Sequence, residues 1–151
     1  MVTTRDRFGN ECIEGGFKVV ATLSGKGDIE DQQINATVTD QKNGEYNVTY
    51  QPKKAGTYVL DVTLGGAHIK DAPFKVLVDP GKAVAGTTVA EGDGLKKVVA
   101  GETGKFVVTT KDANGNVLKV GGNNINATFK NAAQAVQVDV VDNTNDTYAC
   151  T

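Results

Sequence analysis

Tyr58-Val59-Leu60-Asp61-Val62-Thr63-Leu64 places Tyr58, Leu60, Val62 and Leu64 on one face of an extended chain, because side chains alternate between the two faces of a strand. The neighbouring apolar clusters keep the same period of two. Reading outward, residues 46–50, 34–38 and 18–23 precede this run, residues 74–78 follow it, and 2–4 supply an initial strand. Turn residues separate them: Gly15-Gly16, Lys42-Asn43-Gly44-Glu45, Ala55-Gly56 and Gly65-Gly66. Asn43-Gly44 between two alternating runs is the strongest hairpin signal in the chain, since both residues tolerate positive φ. No window makes a convincing amphipathic helix. The alanine-bearing stretch 130–136 comes nearest, but strand-like residues 136–140 follow it at once and a short turn is expected there. Short strands at regular spacing with turns between them predict an all-β sandwich.

The chain also repeats itself. Thr4-Arg5-Asp6-Arg7-Phe8-Gly9-Asn10 returns as Thr110-Lys111-Asp112-Ala113-Asn114-Gly115-Asn116, and Gly15-Gly16 returns as Gly121-Gly122, each 106 positions on. Asp40 and Tyr46 return as Asp142 and Tyr148, 102 positions on, the slip falling in the polar stretch 24–33 where a loop can shorten. A period near 100 residues is the size of one β-sandwich, so two tandem domains are expected rather than a short solenoid unit. Asp79-Pro80-Gly81-Lys82 reads as the hinge, because proline removes a donor and glycine loosens the chain. After it, Gly92-Asp93-Gly94-Leu95 introduces a long first strand region that the first repeat lacks.

Composition narrows the function classes. The 151 residues are 39% hydrophobic and 23% charged, with net charge −2 and no tryptophan, so the core rests on aliphatic residues and alanine. No basic block points to nucleic acid, and no run approaches the roughly 18 apolar residues of a membrane span. The first residues lack the apolar stretch of a signal peptide. Cys12 and Cys150 occupy non-equivalent places in the two repeats and read as reduced thiols of a cytosolic protein. Asn35, Asn47, Asn126 and Asn145 each open an Asn-x-Thr triplet, which the abundance of both residue types in alternating strands explains.

Catalytic and metal-binding patterns find little support. His68, the single histidine, reads as an exposed turn residue with no partner at ligand spacing. Gly101-Glu102-Thr103-Gly104-Lys105 has two residues between its glycines where a phosphate loop needs four, and leads into a strand. Asp112 to Asn116 imitates the start of a calcium loop, but Val117 and Asn123 stand where glycine and glutamate belong. The expectation is a chain that is not an enzyme and takes neither cofactor nor metal.

Residues 38–78 resemble a filamin repeat, the immunoglobulin-like module of actin-crosslinking proteins. The resemblance rests on the ordered series Asp40, Asn43-Gly44-Glu45-Tyr46 and Pro52, then Gly56-Thr57-Tyr58, then Gly66-Ala67-His68-Ile69-Lys70-Asp71-Ala72-Pro73-Phe74. Ala72 stands where the family has serine. Gly92-Asp93-Gly94-Leu95 and residues 105–113 are similar to the opening strands of a second repeat. Set against the family's seven strands, A to G, residues 1–79 form a repeat lacking strand A. Residues 80–83 are the hinge, and 84–151 begin a second repeat lacking its last strands. Two incomplete immunoglobulin-like sandwiches in tandem imply a fragment of a longer array.

The resemblance implies a non-catalytic rod segment of an actin-crosslinking scaffold, cytoplasmic and cytoskeletal. Actin would be held only by a head domain outside these residues, and the parent would be a dimer. It also implies that partner peptides add as a strand beside strand C, residues 18–23, and pack into the groove toward strand D, residues 34–38. The candidate contacts are Val19, Ala21 and Leu23 on C, and Ala36 and Val38 on D. The plainer reading makes these ordinary core residues along an edge that binds nothing. Two alternatives stay open: an isolated filamin-type interaction module of a non-crosslinking protein, and a secreted immunoglobulin-like adhesin.

Overall fold

Nearly every regular element of the molecule is a strand, in a computed structural model that describes residues 1–130 and 132–151. Asn131, within the stretch 130–136 expected as a turn, lies outside the described residues. The chain forms two units, Met1–Asp79 and Pro80–Thr151.

The first unit contains β1 (Val2–Thr3), β2 (Val19–Lys26), β3 (Gln33–Asn35), β4 (Thr37–Asp40), β5 (Glu45–Thr49), β6 (Gly56–Leu64), β7 (Ala67–His68) and β8 (Phe74–Val78). One sheet has the order β1-β5-β4. The other runs β3-β2-β6-β7, with β8 also pairing β6. The alternating run quoted first is the axis of this second sheet. It pairs β2 antiparallel from Val19↔Leu64 to Lys26↔Thr57, and β8 from Gly56↔Val78 to Leu60↔Phe74. Tyr46 from one sheet meets Val19, Ala21 and Val62 from the other in the buried core, with Val2, Val38, Val48, Leu60 and Phe74 packed around them. That is a two-sheet sandwich, as alternation demands when each sheet has one apolar face.

Local structure departs from the expected strands at four places, one of them residues 136–140, which do not form a single strand. The stretch 34–38 is not one strand: it breaks at Ala36, and its halves β3 and β4 belong to different sheets. In the 40–45 turn, positive φ falls on Lys42 (65°) and Gly44 (85°) rather than on Asn43. Asn43 contributes its side chain instead, accepting from the Glu45 N–H. A Cβ on Gly44 would also overlap the Cys12 carbonyl, so this turn needs glycine for space as well as for conformation. In the second unit, Asp93–Leu95 forms a 3-10 turn, and the first strand there lies ahead of it rather than beginning at Gly92.

The second unit holds β9 (Val89–Glu91), β10 (Phe106–Thr109), β11 (Thr128–Lys130), β12 (Ala135–Gln137), β13 (Val140–Asp142) and β14 (Thr147–Cys150). Four of these form a sheet ordered β13-β14-β10-β9, and β11 and β12 make a separate hairpin. Its core is Val108, Tyr148 and Cys150, with Phe106, Ile125, Val138 and Val140 against them. A cleft of about 520 Å³ opens between this sheet and the hairpin, lined by Leu95, Val98, Phe106, Phe129, Val136 and Val138.

Candidate functional site

The five residues expected at a docking groove all lie in the first unit, where the two sheets meet at β2 and β4. Val19, Ala21 and Leu23 point inward, with 9%, 2% and 0% of their surface exposed. Ala36 and Val38 are half-buried and pack against the core cluster that holds Val19 and Ala21. The inward side chains of β2 therefore serve the core first. What they leave to a partner is the strand's backbone, and the half-buried pair forms the lip of the groove.

Strand β2 is not a free edge along its whole length. β3 covers Thr22 to Ser24, through Thr22↔Asn35, Leu23↔Ile34 and Ser24↔Gln33, and the Ala36 N–H donates to the Ala21 carbonyl at 2.9 Å. The short hairpin at Gly27–Ile29 brings the chain straight back beside β2, which is why the covering strand exists. Backbone groups of alternate residues point the same way along a strand, so the Val19 carbonyl faces away from β6, as that of Ala21 does. The Val19 N–H donates to the Phe17 carbonyl at 3.1 Å, so the stretch that β3 leaves open between Val19 and Ala21 comes down to the Val19 carbonyl and the Ala21 N–H. Beside it, β4 is the end strand of its sheet, with Thr37 and Thr39 exposed.

The entry to this groove is fixed by side chains whose role the sequence did not disclose. The Phe17 N–H donates to the Tyr46 hydroxyl at 2.9 Å. The Asp40 carboxylate accepts from the N–H groups of Gly16 at 2.8 Å and Lys42 at 2.7 Å. These backbone donors, Lys42 first and Gly16 next, hold the Asp40 carboxyl below its ordinary range. A Cβ on Gly15 would overlap that carboxylate, which explains the first glycine of the pair. The second unit repeats the device atom for atom. Asp142 accepts from Gly122 at 2.7 Å and Thr144 at 2.7 Å, the Tyr148 hydroxyl accepts from Asn123 at 2.8 Å, and a Cβ on Gly121 would overlap Asp142. The constant offsets of Gly15, Asp40 and Tyr46 were the visible signal. Their meaning, a clamp on the chain entering β2 or its counterpart, needed the fold.

The other candidate groups stay apart. His68 Nδ1 lies 2.7 Å from Asp61 Oδ1 on the exposed face of β6 and β7. Cys12 and Cys150 are both free thiols, and burial pushes the Cys150 thiol up. Among the described residues no group of three His, Cys, Asp or Glu side chains is placed to hold a metal ion. No helix among them is long and apolar enough to cross a membrane.

Comparison with known proteins agrees with this architecture. The Filamin/ABP280 repeat model matches residues 1–75 and again 82–151. E3 ubiquitin-protein ligase TRIM71 of Rattus norvegicus is 35% identical over 100 residues, covering 62% of this chain and 11% of its own length. TRIM71 of Bos taurus is 36% identical over 81 residues, covering 54% and 9%. Tripartite motif-containing protein 2 of Ailuropoda melanoleuca is 34% identical over 99 residues, covering 65% and 12%. The chain thus spans only 9–12% of the length of these curated relatives. Two consecutive matches, two units built on the same clamp and an antiparallel all-β fold give one conclusion: the chain belongs to the Filamin/ABP280 repeat family and carries two repeats of it.

Proposed function

We propose that this chain is a protein-interaction segment whose first unit docks an extended peptide as an added strand, between the open stretch of β2 at Val19–Ala21 and the free edge of β4. Filamin repeats are non-catalytic structural domains that serve as interaction and scaffold modules. The observation that carries the finer reading is the pair of adjacent edges above a two-sheet core. Unpaired backbone at a sheet edge is a template for another strand, and the half-buried Ala36 and Val38 leave room for small apolar side chains of the incoming segment. The relatives bear on context. In proteins named E3 ubiquitin-protein ligase, a segment of about a tenth of the length, with no metal-holding group among its described residues, would hold a partner while the chemistry is done elsewhere. This favours the interaction-module reading over the rod reading.

The rod of an actin-crosslinking scaffold stands second, supported by the tandem arrangement of two repeats. In that reading actin binds through a head outside these residues, and the parent is a cytoskeletal dimer. Co-sedimentation of the isolated chain with actin filaments would exclude both readings of this segment, since neither gives it an actin site.

The docking reading is tested by selecting peptides from a random library on the full chain, then measuring the affinity of the best binder for Ala36→Glu. Ala36 lies at the lip rather than in the buried core, so the fold should persist, which the melting temperature checks. A charge placed where an apolar contact forms should weaken binding at least about tenfold. Unchanged affinity in a folded variant would remove β2 and β4 as the site.

A further inference from the structure

The chain holds two Asn-Gly pairs, Asn43-Gly44 in the first unit and Asn114-Gly115 in the second. Such a pair is open to ring closure, in which the next backbone nitrogen attacks the asparagine Cγ. Glycine has no Cβ to hinder that approach. Both pairs sit where the chain reverses, and both asparagines are exposed. What holds the attacking nitrogen differs. The Gly115 N–H donates to the Asp112 carbonyl at 3.0 Å, and Asp112 Oδ1 accepts from the Asn114 N–H at 2.9 Å, so one aspartate fixes the backbone of that pair. The Gly44 N–H donates to no group among the described residues.

The Asn43 side chain is arranged for the attack. Its Oδ1 accepts from the Glu45 N–H at 3.2 Å, and its Nδ2 donates to Glu45 Oε2 at 3.2 Å. A side chain whose oxygen reaches the N–H two residues on lies folded over the intervening peptide, which brings Cγ alongside the Gly44 nitrogen. The Glu45 N–H also faces the oxygen that takes up negative charge as the nitrogen attacks. Gly44 is tied down on its carbonyl side, which accepts from the Thr4 N–H at 2.9 Å and from Thr4 Oγ1 at 2.8 Å.

We infer that Asn43 is a site of spontaneous deamidation in the folded protein, while Asn114 is protected. The Gly44 nitrogen bonds to Asn43 Cγ, its proton passes through solvent to the Nδ2 group, and that group leaves as ammonia. A succinimide ring remains, and water opens it at either carbonyl. One opening gives aspartate, whose new carboxylate faces that of Glu45. The other gives isoaspartate, which routes the main chain through the former side chain and lengthens it by a methylene. The reaction consumes water and releases ammonia, with no change of oxidation state. The added methylene displaces Gly44, which has no room beside the Cys12 carbonyl for even a Cβ. Its two bonds from Thr4 are then lost, and the junction of β1 with β5, which pair through Thr3↔Glu45, loosens.

The test ages the full chain in mildly alkaline buffer and follows both Asn-Gly peptides by mass spectrometry, with fragmentation that separates isoaspartate from aspartate. In the folded chain Asn43 should convert about tenfold faster than Asn114, the effect on a rate of a hydrogen bond that must first break. Isoaspartate should appear among its products. In urea, where neither turn is held, the two rates should draw together. Asn43→Gln, whose longer side chain closes a less favourable ring, should stay unmodified over the same period and keep its first thermal transition. Aged wild type should lose roughly 4 °C or more in that transition, the scale on which a lost hydrogen bond shifts a domain of this size. Equal rates in the folded chain, faster conversion at Asn114, or an acid product without isoaspartate would each overturn the inference. An unchanged transition in the fully converted chain would overturn the displacement of Gly44.

Discussion

Leu23 and Phe129 hold the same place in the two units, 106 positions apart, yet Leu23 is 0% exposed and Phe129 is 69% exposed. Both follow an alanine and a threonine on a strand entered through the same glycine, aspartate and tyrosine clamp. The difference lies in what pairs with that strand. β2 has β6 beside it along its full length and β3 on its other side, whereas β11 pairs only with β12 among the described residues. Burial is conferred by neighbouring strands, not by the hydrophobicity of the residue itself. The clamps, by contrast, join two segments that both units contain, so they are formed alike in both.

The sharpest way to break this comparison is a pair of truncations. Leu23→Ala should destabilise the first unit by about 2–5 kcal/mol, the range for a fully buried leucine. Phe129→Ala should leave the second unit within about 0.5 kcal/mol, the range of surface substitutions. Denaturant unfolding of the two variants would show it. Equal losses would mean that Phe129 is packed in solution.

Smaller and symmetric effects are expected at the clamps. Gly15→Ala and Gly121→Ala each drive a methyl into a carboxylate already held by two backbone N–H groups. Each should cost about 1–3 kcal/mol in its own unit, the range for overpacking. A loss in one unit only, read from the two thermal transitions or from resolved amide signals, would show that the repeated clamp does different work in the two units.

The smallest effect separates the two aspartate turns by pH. Hydrogen bonding from the Asn116 side chain first, and from the Gly81, Asn116 and Asn114 N–H groups, holds Asp112 down at about 2 against an ordinary 3.8. A carboxyl whose pKa falls on folding stabilises the fold above its ordinary value. That contribution fades as pH drops from 3.8 toward about 2. Wild type should therefore exceed Asp112→Asn in melting temperature at pH 6, with the gap closing by pH 2. Asp6, lowered chiefly by the Asn10 side chain but exposed, should give a smaller gap of the same sign. A gap that widens in acid would contradict the assignment of these hydrogen bonds.

Much of the fold is legible in the residues themselves. The period of two at 58–64, the Gly44 turn and the constant offsets lead to antiparallel strands, two repeats and a sandwich. Three features are not legible, each for a physical reason. The break at Ala36 between β3 and β4 leaves alternation undisturbed, because a chain can cross from one sheet to the other without changing its apolar pattern. The strand β9 at Val89–Glu91 is masked by a neighbouring Gly-Asp-Gly that forms a 3-10 turn. The exposure of Phe129 depends on strands distant in sequence. At the candidate groove, alternation identifies which side chains of β2 point inward. It does not reveal that β3 caps half of the strand, so the open stretch shrinks to Val19–Ala21.

Amide hydrogen exchange of the full chain, with and without a library-selected peptide, tests the docking claim most directly. Slowed exchange confined to residues 19–21 and 37–40, with β11 and β12 unchanged, is the predicted result. Slowing confined to the edges of β8 or β11, with residues 19–21 and 37–40 exchanging as before, would contradict it.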